Sequence, residues 1–132
     1  MADTLSAKAR ALIARPVLAS LTTLGADGSP QVTPLWVDQD GDDLLFNTAQ
    51  ARVKARHMER DPRVAVSIID PEDPYNVVAL RGTVTDMTSE GADEHIDALS
   101  KKYLGVDSYP NRWEGEVRIK VRVRTDHIAM QG

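Results

Sequence analysis

Phe46-Asn47-Thr48-Ala49-Gln50-Ala51-Arg52-Val53-Lys54-Ala55-Arg56 runs from an apolar strand pattern straight into a helical one, with cations crowded at the change. Thr48 is of the N-cap type and Asp61-Pro62 closes the pattern, so the stretch predicts a strand over 44–47 and a helix over 48–60. The charge order runs against helix stability. A helix N-terminus carries partial positive charge and favours Asp or Glu, yet Arg52 and Lys54 stand there. Free N–H groups together with these cations make a site for an anion such as phosphate. Arg52 and Arg56 are four apart and share a face, while Lys54 leaves in another direction. The same pattern also reads as a solvated helix face with Glu59 as partner.

Upstream, Leu5, Ala9, Leu12 and Ile13 recur at helical spacing. They predict a helix over 3–14, capped by Asp3 or Thr4 and stopped by Pro16. A strand over 17–24, an Asp27-Gly28 hairpin turn and a strand over 31–38 follow. Proline removes a ladder donor, so Pro34 marks that second strand as an edge, a bulge or a place where something else approaches. In Gly28-Ser29-Pro30-Gln31-Val32-Thr33-Pro34-Leu35-Trp36 the unpaired backbone groups suit the rim of a flat heteroaromatic ring. An ordinary edge strand is the alternative reading.

Downstream, Asp40-Gly41 is a tight turn, 63–69 is apolar enough for a central strand, and 70–75, with two prolines, predicts a loop. A strand over 76–87 leads to a helix capped by Thr88 or Ser89 and reaching about Leu104. Residues 105–115 form a polar loop that carries Tyr109, Pro110 and Trp113. Residues 116–124 alternate, with Val117, Ile119, Val121 and Val123 on one face and Arg118, Lys120, Arg122 and Arg124 on the other. The basic stripe reads as the solvated face of a strand or as a contact for an anionic tail, and 127–130 offer an extension of the sheet. Many short strands with hairpin turns and inserted helices predict a mainly β fold, a closed antiparallel barrel in a single domain over 1–132.

The chain has 132 residues, 42% of them hydrophobic, enough for one real core. A net charge of −4 argues against a general nucleic-acid binder. The absence of cysteine removes disulfides, thiolate nucleophiles and cysteine-ligated zinc. No signal-peptide pattern and no membrane-spanning apolar run is found, so a soluble cytoplasmic protein is expected. His57, His95 and His127 match no metal motif and read as surface or core histidines. Gly-x-Ser-x-Gly, P-loop and Gly-x-Gly-x-x-Gly patterns are missing. Tyr75, Tyr109 and Trp113, aromatic and set in polar loops, are candidates for a site.

Taken in order, Gly28-x-Pro30-Gln31-Val32-Thr33-Pro34, Phe46-Asn47-Thr48, Arg52-x-Lys54-x-Arg56, Asp61-Pro62-Arg63-Val64 and Arg81-Gly82-Thr83-Val84 resemble the pyridoxamine 5′-phosphate oxidase-like split β-barrel superfamily. Within it the chain is most similar to the short actinobacterial branch that uses the deazaflavin coenzyme F420. The likeness spans about residues 14–124. It implies an FMN/F420-binding split barrel and a homodimer with two cofactor sites at the subunit interface. It also implies that Arg52 and Lys54 hold the cofactor phosphate with Arg56 nearby, that Asn47 and Thr48 line the same pocket, and that Gln31, Val32, Thr33 and Pro34 run along the ring system. Tyr75 and Asn76 would come from the other subunit, and the loop around Tyr109 and Trp113 would cover the substrate side.

Where the oxidases carry Ser-Arg-Lys, this chain has Arg52-Val53-Lys54, a departure that favours F420 over FMN. The C-terminal extension with which such oxidases bind pyridoxal phosphate has no counterpart before Gly132. The implied chemistry is hydride transfer between the cofactor and a conjugated small molecule, with no side chain required as nucleophile and the proton drawn from solvent or Tyr109. A cofactor- or tetrapyrrole-binding module without turnover, and an FMN-dependent oxidoreductase, remain alternatives.

Overall fold

A computed structural model describes residues 2–132. In chain order its elements are α1 (Ala7–Ile13), β1 (Leu18–Leu24), β2 (Pro30–Trp36), β3 (Asp38–Asp40), β4 (Asp43–Ala49), α2 (Val53–Arg60), β5 (Arg63–Asp70), β6 (Asp73–Thr88), α3 (Ala92–Leu104) and β7 (Arg118–Met130). The strands form one curled antiparallel sheet, ordered β2-β1-β5-β6-β7-β4-β3. Its concave face buries Leu21, Phe46, Val66, Ile68, Val78, Val121 and Val123, and α1 adds Leu12 and Ile13 to the same core. Among the described residues no helix is long and apolar enough to cross a membrane.

The result is a split half-barrel, not a barrel hydrogen-bonded shut. The terminal strands β2 and β3 stay edges. Pro30 and Pro34 lie in β2, where a missing N–H leaves no ladder unmade on the open side. The hairpin at Asp27-Gly28 forms as expected: Gly28 takes φ of 83°, and the Ser29 N–H donates to Asp27 Oδ1 at 3.0 Å.

Several local expectations give way to tertiary contacts. Ser6, not Asp3 or Thr4, caps α1, and its Oγ accepts the Ala9 N–H at 3.0 Å. Asp3 instead accepts the Ile128 N–H at 2.8 Å. The strand expected over 31–38 stops at Trp36, with Val37 buried in the break before β3. Thr48 does not cap α2. It is a buried residue of β4, paired with Ile119, and the N-cap of α2 is Arg52. The loop expected over 70–75 shrinks to a turn at Pro71-Glu72: β6 begins at Asp73, and Pro74 and Tyr75 lie in the irregularity between the Asp70–Asp73 and Ile69–Val77 pairs. Gly91, at φ of 74°, caps α3, while Thr88 Oγ1 accepts the Glu90 N–H and makes the turn before it. The strand over 116–124 begins at Arg118 and does continue through Met130.

At the β6–β7 crossing a Cβ on Gly82 would lie 2.6 Å from the Arg124 carbonyl oxygen and 2.6 Å from Val123 Cγ1. Gly82→Ala should therefore destabilise the protein by about 1–3 kcal/mol through overpacking, read from the midpoint of urea unfolding. Between α1 and β1, Arg15 Nη1 lies 2.9 Å from Asp70 Oδ2. Arg15, followed by the Glu72 N–H, holds the Asp70 carboxyl at about 2. A carboxyl depressed on folding contributes stability that is present above its unfolded pKa and lost as pH falls through its folded one. Between roughly pH 4 and pH 2, Asp70→Asn should therefore lose less stability than wild type. Equal acid sensitivity of the two proteins by thermal unfolding would contradict this role for the pair.

Candidate functional site

The end of β4 and the start of β7 build the site from opposite sides of one ladder. Ala49 pairs with Arg118, and the Gln50 N–H donates to the Val117 carbonyl at 2.8 Å just beyond the strand. The chain then turns into α2, so Arg52 and Lys54 leave the same corner that Arg118 enters. Arg118 does not follow the solvated basic stripe: it is only 7% exposed. Its Nε donates to Asn47 Oδ1 at 2.9 Å. Asn47 Nδ2 donates to the Ala92 carbonyl at 2.8 Å and faces His95 Nδ1 at 3.2 Å. A reversed Asn47 amide would set oxygen against the Ala92 carbonyl and N–H against the Arg118 N–H, so the network fixes the amide's orientation. For Nδ1 of His95 to accept, its proton sits on Nε2, which lies 3.3 Å from Asp38 Oδ2.

The other charges at this corner are poorly balanced. Among the described residues neither Arg52, Lys54 nor Arg56 makes an ion pair, so the expected partner Glu59 is not engaged. Burial, then the neighbouring Arg52 and Arg118 charges, push the Lys54 ammonium below its ordinary pKa. Glu116 Oε2 lies 3.5 Å from Arg118 Nη1, but both buried carboxylate oxygens lack a hydrogen-bond donor. Arg56 points to solvent.

The loop over 105–117 closes one side. The Tyr109 N–H donates to Asp97 Oδ1 at 2.8 Å, and Arg112 bridges to Asp93 at 2.9 Å and Asp97 at 2.6 Å, which ties the loop to α3. Trp113 lies under the Arg52 guanidinium and Tyr109 under that of Arg118, each 5.1 Å from ring centroid to Cζ. Trp36 stacks on Tyr103 at 4.9 Å and meets Tyr109 edge-on at 6.0 Å. Between these elements is a cavity of about 240 Å³, walled in part by Pro34, Trp36, Ile96 and Tyr109, with Asn47, Asn111 and Arg118 as its polar residues.

Of the residues singled out in the sequence, the structure brings Pro34, Asn47 and Tyr109 together at this cavity, with Arg52, Lys54 and Trp113 beside it. Strand alternation divides the β2 group: Val32 and Pro34 share one face, and Gln31 and Thr33 turn to the other, opposite Thr23 and Leu21. Thr48 is buried. Tyr75 is 92% exposed at the β5–β6 hairpin, away from the cavity, and the adjacent Asn76 is buried and donates to Asp70 Oδ2 at 3.2 Å. His57 faces Thr23 Oγ1 at 2.9 Å, and His127 lies 3.8 Å from Asp3. Among the described residues no group of histidines and acids is placed to hold a metal. Sequence reasoning missed His95 and Glu116 as site residues. It named Arg118 only as one member of a surface stripe. The available signal was its place at the end of the alternating strand nearest the loop.

The protein resembles a structure described as an F420 reductase, with 30% identity over 91% of this chain and 94% of that one, at a TM-score of 0.82. A conserved hypothetical protein from Mycobacterium tuberculosis shares the fold at 20% identity, over 96% of this chain and 84% of the other, with a TM-score of 0.73. So does a putative pyridoxamine 5′-phosphate oxidase from Listeria innocua, at 18% identity over 84% and 85% of the two chains, with a TM-score of 0.64. The family model described as pyridoxamine 5′-phosphate oxidase matches residues 5–125. With its split half-barrel and the cationic corner beside an aromatic cavity, the chain belongs to the pyridoxamine 5′-phosphate oxidase family, whose fold binds flavin-type cofactors.

Proposed function

We propose that the protein is an F420-dependent oxidoreductase that passes hydride between the deazaflavin and a conjugated small molecule. The observation that carries this reading is the unbalanced cationic corner, where Arg52 and Lys54 lack acidic partners and Lys54 is half-buried. Cations held together against their own repulsion fit a ligand that brings negative charge. A phosphate on F420 fits that need, and the likeness to an F420 reductase supports that cofactor over FMN. In this reading Arg52 and Lys54 bind the phosphate, Asn47 supports the same end while Thr48 packs beneath it on the core face of β4, and the β2 edge over Gln31 to Pro34 runs along the ring, with Val32 and Pro34 on the face that turns to it. Bound F420 supplies two-electron hydride chemistry; the protein orients it and keeps water away. Tyr109 and Trp113 cover the substrate side.

The same proposal includes a homodimer. Leu18, Val32, Ile69 and Met130 are each more than half exposed and share the convex face through the β2-β1-β5-β6-β7 register. An apolar face of this kind suits a partner surface. A second copy seated there buries it and lets the exposed Tyr75 reach across to the partner's cofactor, with Asn76 behind it holding the hairpin through Asp70. Ile69→Asp should then shift the protein to a monomer in light scattering at micromolar concentration. A wild-type protein that is already monomeric under those conditions would remove the dimer from the proposal.

Cofactor titration tests the central reading. Each charge-assisted contact is worth roughly 1.5–3 kcal/mol, so Lys54→Ala should weaken F420 binding by about tenfold or more, read by fluorescence. Its thermal stability should not fall, because the change relieves repulsion with Arg52 and Arg118. Lys101→Ala, whose side chain reaches only Asp107 at 3.3 Å on the surface, should bind as wild type does. Tight FMN binding with negligible F420 affinity would transfer the protein to the FMN-dependent alternative.

A further inference from the structure

We propose that Arg118 anchors an anionic group, a carboxylate or an enolate, on a flat conjugated substrate that lies in the cavity between β2, β4, α3 and the 105–117 loop. The identification of that ligand as a substrate rests on the oxidoreductase reading; the anion site itself stands on the geometry below.

A guanidinium that is only 7% exposed has been taken out of water, and such a charge is costly unless closely paired. Arg118 is not closely paired. Its Nε is occupied by Asn47, and its acidic neighbour Glu116 stands off at 3.5 Å from Nη1 with both oxygens short of a donor. Arg52 and Lys54 add positive charge at the same corner without an acid of their own. One buried carboxylate among three cations leaves the corner short of negative charge.

The guanidinium is also preorganised. Asn47 holds its Nε edge, Asn47 is held in turn by the Ala92 carbonyl and His95, and the plane of charge rests over Tyr109 at 5.1 Å. Arg118 thus lines a cavity whose other polar residues are Asn47 and Asn111 and whose remaining walls, Pro34, Trp36, Ile96 and Tyr109 among them, are apolar or aromatic. A fork of N–H donors at the end of an apolar slot matches a planar oxyanion on a flat body. The volume of about 240 Å³ suits a small molecule. Any anion would satisfy the charge, including the cofactor's own phosphate, so the test separates the two sources.

Cinnamate and methyl cinnamate share a flat conjugated body and differ in the anion. Calorimetric titration into the cofactor-free protein should show cinnamate binding at least about tenfold more tightly, the gain expected of one charge-assisted contact. Arg118→Gln should abolish that preference while keeping the ester's affinity, and should weaken F420 binding clearly less than Lys54→Ala does, since it removes a neighbouring charge and not a phosphate contact. Arg118→Lys should recover only part of it, because a point charge lacks the fork. If Arg118→Gln does not fold, Glu116→Gln takes its place: loss of the competing carboxylate should tighten cinnamate and leave methyl cinnamate unchanged.

Equal affinity for acid and ester, or no binding of either at millimolar concentration, overturns the proposal. So does a Glu116→Gln protein that binds both as wild type does. An Arg118→Gln protein that keeps the acid preference but loses F420 assigns Arg118 to the cofactor phosphate instead, and overturns it as well. Failure of F420 to bind, with the Arg118-dependent preference intact, would sink the cofactor reading and leave this site standing.

Discussion

The pairing of Ala49 with Arg118 in the β4–β7 ladder is the constraint on which the site depends. Backbone hydrogen bonding continues past the strand end, where the Gln50 N–H meets the Val117 carbonyl at 2.8 Å. Two segments nearly seventy residues apart in sequence are thereby held at one corner. Arg118 enters the interior there instead of reaching solvent, and α2 cannot start until Arg52. A buried guanidinium then demands partners, and Asn47 is the one the ladder places within reach. Asn47 in turn engages Ala92 and His95 on α3. One strand register therefore couples the sheet, the helix above it and the cationic corner.

A second lock holds α3 over the gap where the barrel splits. Lys102 Nζ donates to the Ile13 carbonyl at 2.6 Å and to the Val37 carbonyl at 2.7 Å. The Tyr103 hydroxyl accepts the Val37 N–H at 2.9 Å and donates to the Val17 carbonyl at 2.6 Å. Val37 is the buried residue at which the expected long strand breaks into β2 and β3, and its backbone groups would otherwise go unmet. Burial lowers the Lys102 pKa and raises that of Tyr103. The same Tyr103 ring carries Trp36, which walls the cavity, so the helix dock that satisfies the split also shapes the site.

Stability and function pull apart at the corner and agree elsewhere. In the core, pattern, propensity and packing give one answer: Val121 and Val123 are fully buried where alternation placed them. At Arg52, Lys54 and Arg118 like charges gather, a helix starts with cations and no side-chain cap, and a carboxylate sits buried without a donor. Local rules broken together, in one place and beside a cavity, are what make this corner the candidate site.

The succession of strands and helices along the chain, the turns at Asp27-Gly28 and Asp40-Gly41 and the apolar face of 119–123 were determined by the sequence alone, because period-two alternation and turn residues act over a few neighbours. So was the oddity of Arg52 and Lys54 at a helix start, because the charge of a helix end is a local property. Long-range pairing decided the rest. Thr48 has the chemistry of a cap but is held in β4 by Ile119 across the ladder. Arg118 reads as one more outward cation in an alternating strand, and only the tertiary structure turns it into a buried one, because α3 and the 105–117 loop cover the strand face on which it lies. Alternation along a strand says which residues share a face; it does not say whether that face meets water or another element.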